Sequence, residues 1–229
     1  MDTTKSKILV WDAPVRVFHW LMALSFFGAY LSAESERWRL LHVTLGYTLG
    51  GLVAFRVLWG LIGTRHARFG NFVRGPAALR SYLGGLLIGR PEPHAGHNPA
   101  GAVAIVLLLV LSVAVVLSGW GNYEQVGGEW LEELHEVAAN SMLAVVAVHV
   151  VGVLVASWLH HENLVRAMVT GYKRGVAGQA IPWSWRPLAG LLLAAVLGFW
   201  WWQWQDRPQM SAQSGPQSPT LSGSLSACA

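Results

Sequence analysis

The sequence predicts an all-α integral membrane protein: a four-helix bundle followed by a fifth transmembrane helix. Two observations carry this expectation. Hydrophobic residues make up 53% of the 229 and charged residues only 12%, against about 25% charged in an ordinary soluble domain. The apolar residues are gathered into five stretches that approach the ~20 residues needed to cross a bilayer core. The single cysteine, Cys228, excludes an internal disulfide, a Cys-ligated iron–sulfur cluster and a Cys-rich zinc site.

Residues 1–16 are a short polar start containing Trp11-Asp12-Ala13-Pro14-Val15-Arg16. No small-residue cleavage site follows an early apolar stretch, so the first span, residues 17–33, is read as an anchor rather than a removed signal peptide. His19 lies at its entrance. A short charged turn leads to a second span, residues 42–63, which opens on His42 and carries Gly46, Gly50, Gly51 and Arg56. The connection 64–99 holds five arginines and three histidines, and its portion 77–88 is expected to lie on the membrane surface as an amphipathic helix. The third span is 100–120, followed by an acidic loop, 121–133. The fourth span, 134–158, opens on Leu134-His135. A basic linker, 175–187, leads to the fifth span, 188–204. The Ser-, Pro- and Gln-rich tail 205–229 is expected to be disordered.

Orientation follows from Lys and Arg outside the spans. The N-terminus, the second loop and the loop after the fourth span carry 3, 5 and 4, whereas the first loop, the third loop and the tail carry 2, 0 and 1. That asymmetry places the N-terminus in the cytoplasm and the tail in the periplasm of a bacterial inner membrane. The net charge of +4 suits membrane lipid and gives no reason to expect a nucleic-acid partner, because the basic residues sit in loops beside apolar spans. Trp20, Trp59, Trp120, Trp158 and Trp200-Trp201-Trp202 at span ends read as interfacial anchors.

Four histidines sort by depth. In the fourth span His135 and His149 are fourteen residues apart, which puts them on one helix face about 21 Å apart along the axis. Between them that face carries Ala139, Met142 and Val146, small or pliable residues that leave room for something flat and wide. With the orientation above, His19 and His149 share the inner level, and His42 and His135 the outer. An intramembrane histidine is a functional candidate by default. Zinc normally takes three or four ligands at one point, and each level offers two. Two bis-histidine haems explain the spacing best, with His19, His42, His135 and His149 as axial ligands to haem iron. Gly46 and Gly152 remove side chains where a porphyrin would press on the backbone. Arg56, fourteen residues after His42, is a candidate partner for a haem propionate; snorkelling to the cytoplasmic surface is the equal alternative. His66, His94, His97, His160 and His161 fall in loops, and His94-x-x-His97 is read as solvated.

Trp11-Asp12-Ala13-Pro14-Val15-Arg16-Val17-Phe18-His19-Trp20, Gly96-His97-Asn98-Pro99-Ala100-Gly101, Leu134-His135-Glu136 and the run from His161 to Met168 with Gly171 and Lys173-Arg174 resemble the bacterial cytochrome b561 family. That group includes the b-type cytochrome subunits of nickel–iron hydrogenases. The resemblance covers residues 10–174 and implies a di-haem cytochrome b bundle over residues 17–174, with His19, His42, His135 and His149 matching the ligand positions.

Iron with both axial positions filled relays electrons rather than binding oxygen. The expected function is transmembrane electron transfer in a respiratory chain, between a periplasmic redox protein and the quinone pool. The periplasmic protein is a c-type cytochrome or a hydrogenase-like iron–sulfur subunit. Two further readings stay open: a stand-alone quinone oxidoreductase, and a histidine-lined metal or proton transporter. The quinone site follows from the resemblance alone.

Overall fold

The computed structural model describes residues 6–73, 75–87 and 96–205. His94, the tail 206–229 and Cys228 lie outside the described residues. Among the described residues, five helices are long and apolar enough to cross a membrane: α1 (Ala13–Ser32), α2 (Arg39–Ile62), α5 (Pro99–Tyr123), α6 (Trp130–Leu159) and α8 (Arg186–Gln205). Three short helices, α3 (Phe69–Phe72), α4 (Pro76–Leu87) and α7 (Leu164–Thr170), occupy the connections. Among the described residues the fold is all-α but for one small ribbon, in which β1 (Ser6–Leu9) pairs antiparallel with β2 (Tyr172–Gly175), Ser6 opposite Gly175 and Leu9 opposite Tyr172.

The helix starts are written in the sequence. Asp12 caps α1, its Oδ1 accepting from Val15 N at 2.8 Å, and Pro14 sits in the first turn where its missing N–H costs nothing. Asn98 caps α5 in the same way, accepting from Gly101 N at 2.6 Å with Pro99 next. Asn163 caps α7 by accepting from Arg166 N at 2.7 Å. Helix α6 starts at Trp130, four residues before the expected opening at Leu134. Glu132 and Glu133, read from sequence as acidic loop, lie in its first turn, where carboxylates complement the positive end of the helix. His135 therefore lies well inside a formed helix.

The helices pack as two antiparallel pairs, α1 with α2 and α5 with α6, joined where α2 meets α5. Helix α8 covers the α1–α2 pair from outside, Val196 meeting Leu21 and Leu52, with Trp200 donating to Thr48 Oγ1 at 2.9 Å. The amphipathic helix expected at 77–88 is α4; it lies beside α5, with Tyr82 buried and its hydroxyl accepting from Asn98 Nδ2 at 2.8 Å.

At mid-height Phe26 of α1, Leu49 of α2 and Met142 of α6 form one buried cluster. Each stands seven residues from a candidate ligand, Phe26 from His19, Leu49 from His42, and Met142 from both His135 and His149. Seven residues turn a helix through about −20° net, so all these side chains share their helix's inward face. Met142 thus fills the middle of the bundle instead of leaving room in it.

Asp12 closes one end. Only 1% exposed, it takes Trp59 Nε1–H at 3.1 Å and the Thr64 hydroxyl on Oδ2, tying the start of α1 to the end of α2. Trp59 is therefore a core residue, 6% exposed, and not an interfacial anchor; Trp20, Trp120 and Trp158 are exposed as anchors should be. Gly171 locks the ribbon to this end. Its carbonyl accepts from Val10 N and Trp11 N, and at φ 88° a Cβ would stand 2.7 Å from the Trp11 carbonyl oxygen, so only glycine fits.

Candidate functional site

Helices α2 and α6 bring His42 and His135 together edge-on, ring centroids 6.0 Å apart and planes at 72°. Two imidazoles ligating one ion at about 2 Å each would stand at nearly this separation. Each ring is held by its other nitrogen. His42 Nδ1 donates to the Ala29 carbonyl of α1 at 2.8 Å, and His135 Nδ1 to the Val115 carbonyl of α5 at 2.9 Å, with Ser118 Oγ 3.2 Å away. A histidine anchored through Nδ1 keeps Nε2 as a lone-pair donor directed elsewhere, the usual arrangement around a bound metal. All four bundle helices contribute, two with rings and two with the carbonyls that aim them.

Gly119 of α5, not singled out from the sequence, makes this possible. A Cβ there would lie 2.8 Å from His135 Cε1 and 3.0 Å from Nδ1. No sequence signal marks it, because glycines are common in membrane helices for simple packing. Gly46 behaves differently, as does Gly152: nothing lies within 4 Å of a Cβ built at either. Both face open space, consistent with room beside the ligand helices.

The second pair is His19 of α1 and His149 of α6. They are electrostatic neighbours, and His19 Nδ1 is sealed from solvent without a hydrogen-bond partner. The structure thus brings His42 to His135 and leaves His19 and His149 within electrostatic range of each other. Among the described residues no three His, Cys, Asp or Glu side chains converge, so two-ligand sites of this kind suit an ion whose remaining ligands come from a macrocycle.

Arg56 does not snorkel. It is 3% exposed, with Cζ 4.7 Å from the Phe69 ring centroid and Nη1 unpartnered. The sequence offered no way to choose, since the deciding residues, Phe69 and Phe72, come from a connection read only as a loop. His97 departs further from expectation. Its ring sits 4.5 Å from both the Trp11 and the Phe72 rings, and its Nδ1 is buried and unpartnered. Burial, followed by the charges of Arg56 and Lys173, lowers its pKa to about 3, so the ring is neutral. His66 is held by the Gln179 carbonyl, 2.8 Å from Nε2, and burial lowers its pKa as well. Neither is a solvated loop histidine.

A helical membrane bundle with histidines meeting in pairs between its helices defines a membrane cytochrome of the b class. The chain belongs to the prokaryotic cytochrome b561 family, whose model matches residues 10–171. It is similar to the "Probable Ni/Fe-hydrogenase B-type cytochrome subunit" of Rhodobacter capsulatus, 21% identical over 74% of this chain and 82% of that one. The proteins of the same name from Azotobacter vinelandii (26% identical, 74% of this chain and 89% of that one) and, numbered as hydrogenase 1, from Escherichia coli K12 (27%, 51% and 60%) are also similar. No solved structure matches the chain. The protein is accordingly a multi-pass membrane cytochrome that binds haem b and transfers electrons.

Proposed function

We propose that the chain holds two b haems, one between His42 and His135 and one between His19 and His149, and passes electrons between the two faces of a bacterial inner membrane. The observation that carries this reading is the His42–His135 pair, 6.0 Å apart with both Nδ1 atoms anchored on backbone carbonyls. Haem supplies a one-electron couple at iron. His42 with His135, and His19 with His149, would hold the iron; Ala29, Val115 and Ser118 fix the His42 and His135 rings, and Gly46 and Gly152 leave open space beside them. Phe26, Leu49 and Met142 fill the interval between the two levels with packed side chains. The fourteen-residue spacing of His135 and His149, about 21 Å, lets two relays cover most of the hydrocarbon thickness.

The charge asymmetry of the loops orients the N-terminus to the cytoplasm and the C-terminus to the periplasm. His42 and His135 then serve the periplasmic side, beneath Glu124, Glu129, Glu132, Glu133 and Glu136, all exposed. A periplasmic redox partner with a basic face would be steered there. A hydrogenase-like iron–sulfur subunit is favoured over a c-type cytochrome by the names of the similar proteins. The quinone pool takes or supplies electrons at the other face.

Vesicles loaded with ferricyanide test the reading. With the haem-replete protein in the membrane, an impermeant external reductant should bleach the trapped ferricyanide, and His19→Ala should slow bleaching at least tenfold. Equal rates in protein-free vesicles and in both proteins would contradict transmembrane transfer.

A further inference from the structure

The end of the bundle closed by Asp12 contains two buried donors without acceptors. Arg56 reaches it from α2, fourteen residues beyond His42, and its Nη1 has no hydrogen-bond partner although the residue is 3% exposed. His97 reaches it from the residue before the α5 cap, and its buried Nδ1 is also unpartnered. One aromatic ring serves both. Phe72 lies 4.5 Å from the His97 ring centroid and 6.0 Å from the Arg56 guanidinium carbon. Trp11 closes the far side of His97 at 4.5 Å, and Phe69 covers Arg56 at 4.7 Å. The positive charges of Arg56 and Lys173 both act on His97, as do His66 and His149.

No carboxylate among the described residues is idle there. Asp12, whose charge also acts on Arg56, already accepts from Val15 N, Trp59 Nε1 and the Thr64 hydroxyl. Glu162 serves Lys173 at 3.8 Å and the backbone N of Arg174. A buried guanidinium is stable only when paired, so these unpartnered donors call for an anion that no described carboxylate is free to supply. His149, an electrostatic neighbour of both His97 and His19, joins the pocket to the second histidine pair.

We propose that Arg56 and His97 form a carboxylate seat for a propionate of the haem held by His19 and His149. Arg56 supplies the charge and a fork of N–H donors matched to a carboxylate. His97, held neutral by burial, offers its unpartnered Nδ1 as a donor and adds no second charge. The seat rests on the two-haem reading and sets the electron affinity of one haem selectively. Ferric haem carries one more positive charge than ferrous, so losing the guanidinium favours the ferric form and lowers the midpoint potential of that haem.

Redox titration of the purified, haem-loaded protein, followed optically, tests this. Wild type should resolve two b haems, of which His19→Ala removes one. In Arg56→Gln the midpoint of that haem should fall by a factor of ten or more in the ferrous-to-ferric ratio, about 59 mV for one electron. Arg56→Lys should recover most of the shift, and His97→Phe, which keeps the ring between Trp11 and Phe72, should move the same haem severalfold in the same direction. Loss of that haem alone in Arg56→Gln, with both retained in Arg56→Lys, is the same result in stronger form. Two haems with potentials within twofold of wild type in both Arg56→Gln and His97→Phe would overturn the seat and leave the two-haem reading standing; so would a shift confined to the other haem. Fewer than two haems in wild type would overturn the underlying reading, and the seat with it.

Discussion

His135 is aimed by a residue that has no side chain. A Cβ on Gly119 would stand 2.8 Å from the His135 ring, whose Nδ1 bonds the Val115 carbonyl one turn earlier on α5. Gly119→Val should therefore push the ring off its carbonyl and weaken metal binding at the His42–His135 level by roughly 10–100-fold, the usual cost of losing an outer-sphere partner. Haem content after dilution and a broadened b-type band would report it. Gly46→Ala, where a Cβ meets no protein atom within 4 Å, should leave the protein folded and disturb only the haem spectrum.

Asp12 holds the opposite end. Replacing it by Ala leaves the Trp59 indole N–H, the Thr64 hydroxyl and Val15 N without their acceptor. Each buried orphan costs about 1–3 kcal/mol, so the variant should lose at least about 2 kcal/mol. Thermal unfolding in detergent, followed by tryptophan fluorescence, measures this, and an unchanged Tm would count against Asp12 as the tie between α1 and α2.

Acid should open the same end. The His97 pKa lies below its ordinary value of 6.5, at about 3, chiefly through burial, with Arg56 adding to it. The unfolded chain therefore binds a proton that the folded one refuses. The stabilising contribution is fully present above pH 6.5 and is lost progressively as pH falls toward about 3. His66, also lowered by burial, acts in the same sense. Unfolding temperatures of wild type and His97→Phe between pH 7 and pH 4 should diverge, the variant declining less steeply. Parallel curves would assign the acid sensitivity to other groups.

The glutamates around the start of α6 supply a kinetic test. Changing Glu129, Glu132 and Glu133 together to Gln should slow electron exchange with a basic partner protein several-fold at low ionic strength and flatten its salt dependence. Wild type and the triple variant with equal rates and equal salt slopes would remove the acidic face from the docking account.

The five spans and the all-α class were legible because bilayer thickness converts directly into apolar run length. That His135 and His149 share one face at two depths of α6 was legible because helix geometry converts fourteen residues into almost four whole turns. What escaped depended on contacts between distant segments. Met142 lies on the face that sequence assigns it, yet only the arrival of Phe26 and Leu49 from other helices makes it a filler of the middle. His97 looks solvated among Gly and Pro, but Trp11 and Phe72, 86 and 25 residues away in sequence, close over it. Whether Arg56 reached solvent depended on where the connection after α2 folded. The start of α6 was misplaced by reading glutamates as loop, although a helix's first turn favours them. The β1–β2 ribbon was invisible, since four-residue strands paired across more than 160 residues leave no local pattern.

The haem-to-chain ratio, measured by pyridine haemochrome assay against quantitative amino-acid analysis, tests the central claim most directly. The account predicts two b haems per chain in wild type. One should remain in His19→Ala, with the His42–His135 centre intact, and one in His135→Ala, with the other centre intact. A ratio of one in wild type, or two undisturbed bis-histidine centres in His19→Ala, would contradict it.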